Sequence, residues 1–460
     1  MSTEGNNKAN IRAATVVCIV TAFMNPFAGT AFNLAIPIIS AEFQSTATSL
    51  NWIVTAYMLC TVCLSVPAGK ITDFLGHRRG LILGILIFTA ASAVLAMAPS
   101  AAWLICCRVV QGVGAAMIFA TNLPIMVNAY PSADRGYAIG LTVTANYIGM
   151  SSGPVIGGVA TGNFGWRAVP VLAAVISGIT LLIAFFGLQK GTAQRTREEI
   201  PGPSGFLLYI AGMFFTMYGM MGLTRGYIGK ISFGVGIVLF IIFGFNEIRA
   251  SVSVIELRLF RENINFLLSN IAALFGYSSV FAISYLLSIY LQLVVGYGAS
   301  LAGVVLIIQP VMQAIVSPVS GRLSDRVSPF KLASAGMGIC AAALVVFILL
   351  SSDGSIMHII IGLIFVGIGF GIFSSPNQTA IMSCVLPQDY TLASALINTT
   401  RLIGQILSMA VTAGIMSHFL GTIPVVEASG DMIVRSMHAS FIVFAAFCVI
   451  GIFISLNRKK

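Results

Sequence analysis

Residues 69–79 read GKITDFLGHRR, and residues 321–331 read GRLSDRVSPFK. Each stretch follows a long apolar run, and each opens with glycine, a base, an apolar residue, a hydroxyl residue and aspartate. Both fall on the same predicted side of a membrane. Two like-oriented copies imply two parallel halves, related by an axis along the membrane normal. The copies stand 252 residues apart, from 69 to 321. That separation holds about eight helices with their loops, so two further helices are expected between two six-helix halves.

The surrounding chain supports a bilayer setting. Of its 460 residues, 58% are hydrophobic and only 8% are charged, against about 25% charged in a soluble domain. So few charges cannot cover a water-facing surface, and lipid must solvate most of the chain. The net charge of +10 sits in short clusters between apolar runs, such as His77-Arg78-Arg79. No cluster is interleaved with aromatics on a polar stretch, which argues against a nucleic-acid surface. All eight cysteines lie in or beside apolar segments. The CxxC of Cys60 and Cys63 has no second pair and no nearby histidine, so small packing residues are expected, with no disulfide framework and no metal site. The apolar run after Met1–Arg12 is too long for a signal-peptide core and is expected to stay as the first spanning helix.

Spans of roughly 20 apolar residues start near Ala13, Asn51, Gly80, Ala102, Gly136, Arg167, Ser204, Ser232, Phe266, Leu301, Lys331, Met357, Leu392 and Met437. The expected fold is an all-α membrane protein of fourteen spanning helices. Residues 1–190 would form a six-helix bundle, 191–247 a linker with two inserted helices, and 248–460 a second six-helix bundle. With both termini placed inside, the outer loops keep only Arg167, Arg225, Lys230 and Arg435 of the basic residues. That bias predicts a multi-pass inner-membrane protein with cytoplasmic termini.

With those residues in view, the chain resembles the fourteen-helix drug/proton antiporter branch of the major facilitator superfamily, over almost its whole length. GKITDFLGHRR is similar to the superfamily signature between helices 2 and 3. The resemblance makes Gly69, Asp73, Gly76, Arg78 and Arg79 gate residues, with Asp325 and Arg326 as their counterparts in the second half. The arginine that usually follows the aspartate is Phe74 here. LICCRVVQGVGAA in the fourth helix is similar to the family's arginine-glutamine-glycine pattern. At 100° per residue, Arg108, Gln111 and Asn122 share a stripe, and an arginine at membrane depth is kept where it meets a cavity or a partner. GMSSGPVIGG in the fifth helix matches the pattern associated with antiporters. Gly149, Gly153 and Gly157 recur every fourth residue, beside Pro154 and Gly158, so a neighbour can approach closely. A kinked, glycine-faced helix suits a rocking contact between the halves.

Further cavity candidates are Asn25, Asn33, Tyr57, Asn146, Tyr277, Gln309, Gln313, Asn377, Asn398, Arg401 and Gln405. Asn398, Arg401 and Gln405 fall on one helical face, which suggests a wet cavity around a second intramembrane arginine. One departure from the family matters. The aspartate expected in the first helix is Ala28, and all fourteen acidic residues fall in tails, loops or helix ends. A cavity with arginines and no carboxylate predicts anionic, zwitterionic or neutral amphipathic substrates. Two readings stay open: a secondary exporter of small amphipathic molecules or drugs, coupled to protons as an antiporter, and an uncoupled facilitator or lipid/metabolite flippase on the same scaffold. There is no HExxH and no Walker loop, so neither an enzyme nor an ATP-driven pump is expected. No cofactor is expected. The partners are a small-molecule substrate, the lipid bilayer and protons, and the family resemblance implies a monomer.

Overall fold

The computed structural model describes residues 2–32, 35–43, 47–189, 201–222, 226–250, 252–255, 257–350, 356–421 and 429–457. Asn33, the linker stretch 191–200 and the basic tail 458–460 lie outside the described residues, as does the side chain of Pro154. The described residues are helical throughout, without strands.

Among the described residues, thirteen segments are long and apolar enough to cross a membrane. They include α1 (Ser2–Ala31), α2 (Ala47–Leu75), α3 (His77–Ala96) and α4 (Ala101–Ala129). A fourteenth helix, α5 (Arg135–Phe164), is as long but too rich in Gly, Ser, Thr and Asn to register by hydropathy. After α6 (Ala168–Gly187) come α7 (Pro203–Gly222) and α8 (Tyr227–Arg249). The last six are α9 (Ile264–Val294), α10 (Leu301–Ser324), α11 (Pro329–Ile348), α12 (Ile356–Ser383), α13 (Tyr390–Leu420) and α14 (Gly430–Leu456). The ninth is not one regular rod. It runs as Ile264–Val280, then Ile283–Ile289, and ends in a wider π turn over Tyr290–Val294.

Packing follows the repeat. In the first half α1 lies on α5 and α6, and α4 lies on α2 and α3. In the second half α10 and α11 lie on α12, and α14 on α9 and α11. The halves meet through α5 with α10 and through α2 with α13. These pairs occupy corresponding places in the two copies, as a pseudo-twofold arrangement requires. The α7–α8 hairpin closes on itself through glycines, with Gly222 against Gly229 and Gly219 against the main chain of Phe233. It leans on α2 and α13, and Trp52 of α2 stacks on Tyr218 of α7 with ring centres 5.8 Å apart.

The glycine stripe of α5 does bring a neighbour close, but not the expected one. A Cβ on Gly149, Gly153 or Gly157 would strike Phe23, Thr30 or Ala31, all on α1 of the same bundle. Gly158 is half-buried beside them. The contact between halves instead uses Gly136 and Gly140, which abut the main chain of Gly321 and Ser317 on α10. The reason is register: 149, 153 and 157 repeat every fourth residue and stay on the α1 face, while 140 and 136 lie about two and a half and three and a half turns earlier, on a different face.

Candidate functional site

Between the bundles lies a cavity of about 1010 Å³. Its lining runs from Asn25 and Gln378 at mid-depth to Val155, Gly303 and Met409 towards the end away from the chain termini. The termini end is closed. There Gly69 of α2 approaches α13, so that a Cβ on it would sit 3.6 Å from Thr391 O and 3.5 Å from Ala395 Cβ. Further in, Ser394 Oγ and Asn398 Nδ2 donate to the carbonyl oxygen of Phe119 on α4, at 2.8 and 3.3 Å.

The two repeated aspartates both stand at this closure. Asp325, just past α10, accepts from the main-chain N–H of Gly136 and Tyr137. It caps the first turn of α5 from the other half, where orphan N–H groups and the helix dipole favour an anion. Burial pushes its carboxyl up, and the two N–H groups pull it back. Asp73, at the end of α2, is buried and lies 3.5 Å from His77 Nε2, which in turn is 2.6 Å from Thr391 Oγ1 on α13. The remaining expected gate residues divide. Gly76 holds φ +83° at the start of α3, a conformation that suits glycine. Arg78 donates to the carbonyls of Leu188 and Phe185 at the end of α6, tying two helices of one bundle rather than two halves. Arg79 and Arg326 are exposed.

Of the expected cavity residues, the structure brings Asn25, Tyr57, Asn146, Tyr277, Gln309, Gln313, Arg401 and Gln405 to the lining. Arg401 is the single charged side chain among the described lining residues, and no carboxylate joins it. Its Nη1 donates to Asn146 Oδ1 at 3.4 Å, and its guanidinium lies 4.9 Å from the Phe119 ring centre. Tyr57 Oη donates to Asn25 O at 3.1 Å, and Tyr277 Oη shares a 3.3 Å hydrogen bond with Ser374.

Arg108 and Gln111 require correction. Arg108 is fully buried inside the first bundle, away from the cavity. Its guanidinium lies between the rings of Phe32 and Tyr57, at 4.6 and 4.7 Å, and donates to Ile53 O, Ala28 O and Gln111 Oε1. Gln111 passes the network on to Ser92 Oγ. Of the cavity or the partner that the sequence implied, the structure supplies partners: main-chain carbonyls, Gln111 and two aromatic faces hold the charge, and only Nη2 is left without a hydrogen bond. Asn122 and Asn398 border a smaller pocket beside the cavity. Asn377 donates to Ser269 O on α9 and does not reach the lining. Sequence reasoning missed Phe119, Tyr147, Tyr285 and Phe370, which make the lining aromatic. Nothing in their spacing separates them from the other aromatics of a lipid-embedded chain. Gln378 lies next to the candidate Asn377 in the sequence and was within reach.

The fold and cavity define a class: a polytopic membrane protein with two like bundles about a central void. Comparison with known proteins narrows it. A profile of the Major Facilitator Superfamily matches residues 18–409 and 271–459, and the chain belongs to that superfamily of membrane transporters. The riboflavin transporter RibZ of Clostridioides difficile (strain 630) is 30% identical over 443 residues, covering 96% of each chain. The multidrug resistance protein Stp of Mycobacterium tuberculosis (strain CDC 1551 / Oshkosh) is 28% identical, over 84% of this chain and 72% of its own. Among solved structures, the human organic anion transporter MFSD10 (TETRAN) shares the fold with a TM-score of 0.69 at 12% identity, covering 97% of this chain and 99% of that one.

Proposed function

We propose that the chain carries small amphipathic molecules across the cell membrane by alternating access, taking neutral or anionic ones in preference to permanent cations. The observation that carries this reading is the cavity lining: aromatic rings and amides around Arg401, with no carboxylate among the described lining residues. Desolvating a permanent cation there would go uncompensated. Residues 1–190 and 248–460 would be the two rocking units, with 191–247 inserted between them. With cytoplasmic termini, the closed end faces the cytoplasm and the cavity faces outward. The gate is then the pair of contacts centred on Asp73 and Asp325. The relative named as a riboflavin transporter makes riboflavin the first ligand to try, since a flat, uncharged ring suits an aromatic cavity.

The test is movement from the same proteoliposomes of riboflavin, an anionic dye and a dicationic dye. Riboflavin and the anion should move and the dication should lag. Faster movement of the dication would refute the preference.

A second reading, proton-linked drug export, is favoured by the relatives named for multidrug resistance. With no carboxylate among the described lining residues, the protons would have to use groups outside the cavity, such as Asp73 or Glu42. Substrate movement that ignores an imposed proton gradient would count against this reading and for an uncoupled facilitator.

A further inference from the structure

At the inner limit of the main cavity is a well of about 30 Å³, whose lining includes Thr21, Asn25, Asn122, Asn146, Gln378 and Arg401. Asn25, Asn146, Gln378 and Arg401 border both spaces, so the well is a recess of the cavity. It is large enough for the edge of a molecule and too small for a ring.

Its polar groups are left in an unusual state. Asn122 Nδ2 donates to Cys18 O at 2.8 Å and Thr21 Oγ1 at 2.7 Å, while its Oδ1 has no partner. Asn25 is 1% exposed, and neither its Nδ2 nor its Oδ1 has a partner. Arg401 has its 3.4 Å contact to Asn146 and the face of Phe119. Buried amide atoms without partners are uncommon and costly. One cation, one amide donor and two amide acceptors thus belong to residues that border one recess, with no carboxylate among its described lining residues.

This mixture discriminates between ligands. A metal cation would meet Arg401. A halide would suit Arg401 and Asn25 Nδ2 but would face the oxygens of Asn25 and Asn122. An edge that presents acceptor, donor and acceptor in turn answers Arg401, Asn25 Nδ2 and one of the two amide oxygens. One carbonyl oxygen accepts from Arg401, an N–H donates to an amide oxygen, and the second carbonyl accepts from Asn25 Nδ2.

We infer that the well receives the carbonyl–NH–carbonyl edge of a flat heterocycle, a cyclic imide, while the rest of the ring system lies in the aromatic cavity. The pyrimidinedione edge of the isoalloxazine ring has this pattern, with its N–H at N3. The inference rests on the transport reading above and sharpens its substrate class.

The test compares riboflavin with 3-methylriboflavin, which differ only in that N–H, by fluorescence quenching on the purified full-length chain. Riboflavin should bind at least about tenfold more tightly, because a site built around a hydrogen bond rejects the analogue that lacks it. Asn25→Leu should remove most of that difference by weakening riboflavin and sparing the methylated compound. The wild-type comparison needs no variant, so a misfolded Asn25→Leu would not blunt the test. Equal binding of the two compounds would overturn the imide assignment and leave the transport reading intact. Failure of riboflavin, lumichrome and a 5-aryluracil alike to bind would overturn it too, and the transport reading would then be judged by dye movement. Chloride that saturates the site and displaces riboflavin would mark an anion site instead and also overturn it.

Discussion

Asp325 Oδ1 lies 2.7 Å from the main-chain nitrogen of Gly136, so the end of α10 in one bundle caps the start of α5 in the other. The second oxygen accepts from Tyr137 at 3.1 Å, and Arg322 one turn earlier covers the Tyr137 ring at 4.5 Å. Asp325→Ala would leave two N–H groups at a closed interface without acceptors. Hydrogen bonds to a charged group contribute about 1.5–3 kcal/mol, so amide exchange over residues 135–140 should speed up at least about tenfold. Exchange mass spectrometry on the reconstituted protein reads this directly. Unchanged exchange there would show that Asp325 does not hold the closure.

The two arginines should behave in opposite ways. Arg108→Ala removes a fully buried side chain and frees the carbonyls of Ala28 and Ile53, which should cost about 2–5 kcal/mol, the range for large core truncations. Arg108→Lys should rescue little of it, because an ammonium cannot reproduce a planar group stacked between two rings. Arg401→Gln should leave Tm within a degree or two and abolish preference for anionic over cationic ligands. Thermal unfolding and dye binding on the same preparations separate the two effects.

The contrast shows where the sequence could be read and where it could not. Fourteen helices, the parallel repeat and even the hydropathy-poor α5 were legible, because each left a local pattern: an apolar run, a duplicated loop, a GMSSGP stretch. Arg401 was legible too, since Asn398 and Gln405 lie on its own helix. Arg108 was not. Its acceptors are main-chain carbonyls on α1 and α2, and any residue supplies a carbonyl, so no sequence pattern announces them. Likewise the α5 glycines announced a close approach but not its partner, which depends on how whole helices are arranged.

Those glycines give a graded test. Gly153→Val would drive a branched side chain into Thr30 of α1 and should destabilise the first bundle by about 1–3 kcal/mol or more. Gly162, on the same helix, has nothing within 4 Å of a built Cβ. Gly162→Ala should be neutral or gain up to about 1 kcal/mol from helix propensity. Equal losses of Tm at both positions would contradict the packing described for α5.

At the far end, Arg167 grips Glu42 with two nitrogens at 2.7 and 3.0 Å, and Trp166 Nε1 donates to the same carboxylate at 2.6 Å. Glu42 belongs to the short helix Ile36–Phe43 between α1 and α2. The hydrogen bond from Arg167, then that from Trp166, holds its carboxyl below the ordinary value of 4.5. A depressed carboxylate contributes above its unfolded value and loses that contribution as pH falls through the folded one. Trp166 fluorescence should therefore change on acidification with a midpoint below 4.5. Glu42→Gln should abolish that step, and a midpoint at or above the ordinary value would count against the clamp.

The polar character of α5 reaches back to how the protein is made. Arg135–Phe164 is enclosed by α1 on one side and α10 on the other, and it falls short of the hydropathy of its thirteen companions. A segment of that kind partitions poorly into lipid unaided. During synthesis it must be sheltered by the already inserted α1 while the ribosome is still far from α10. The first bundle therefore has to assemble around its least greasy member early. Lesions on the α1 face of α5 should then appear first as failed insertion and rapid degradation, ahead of any defect in transport.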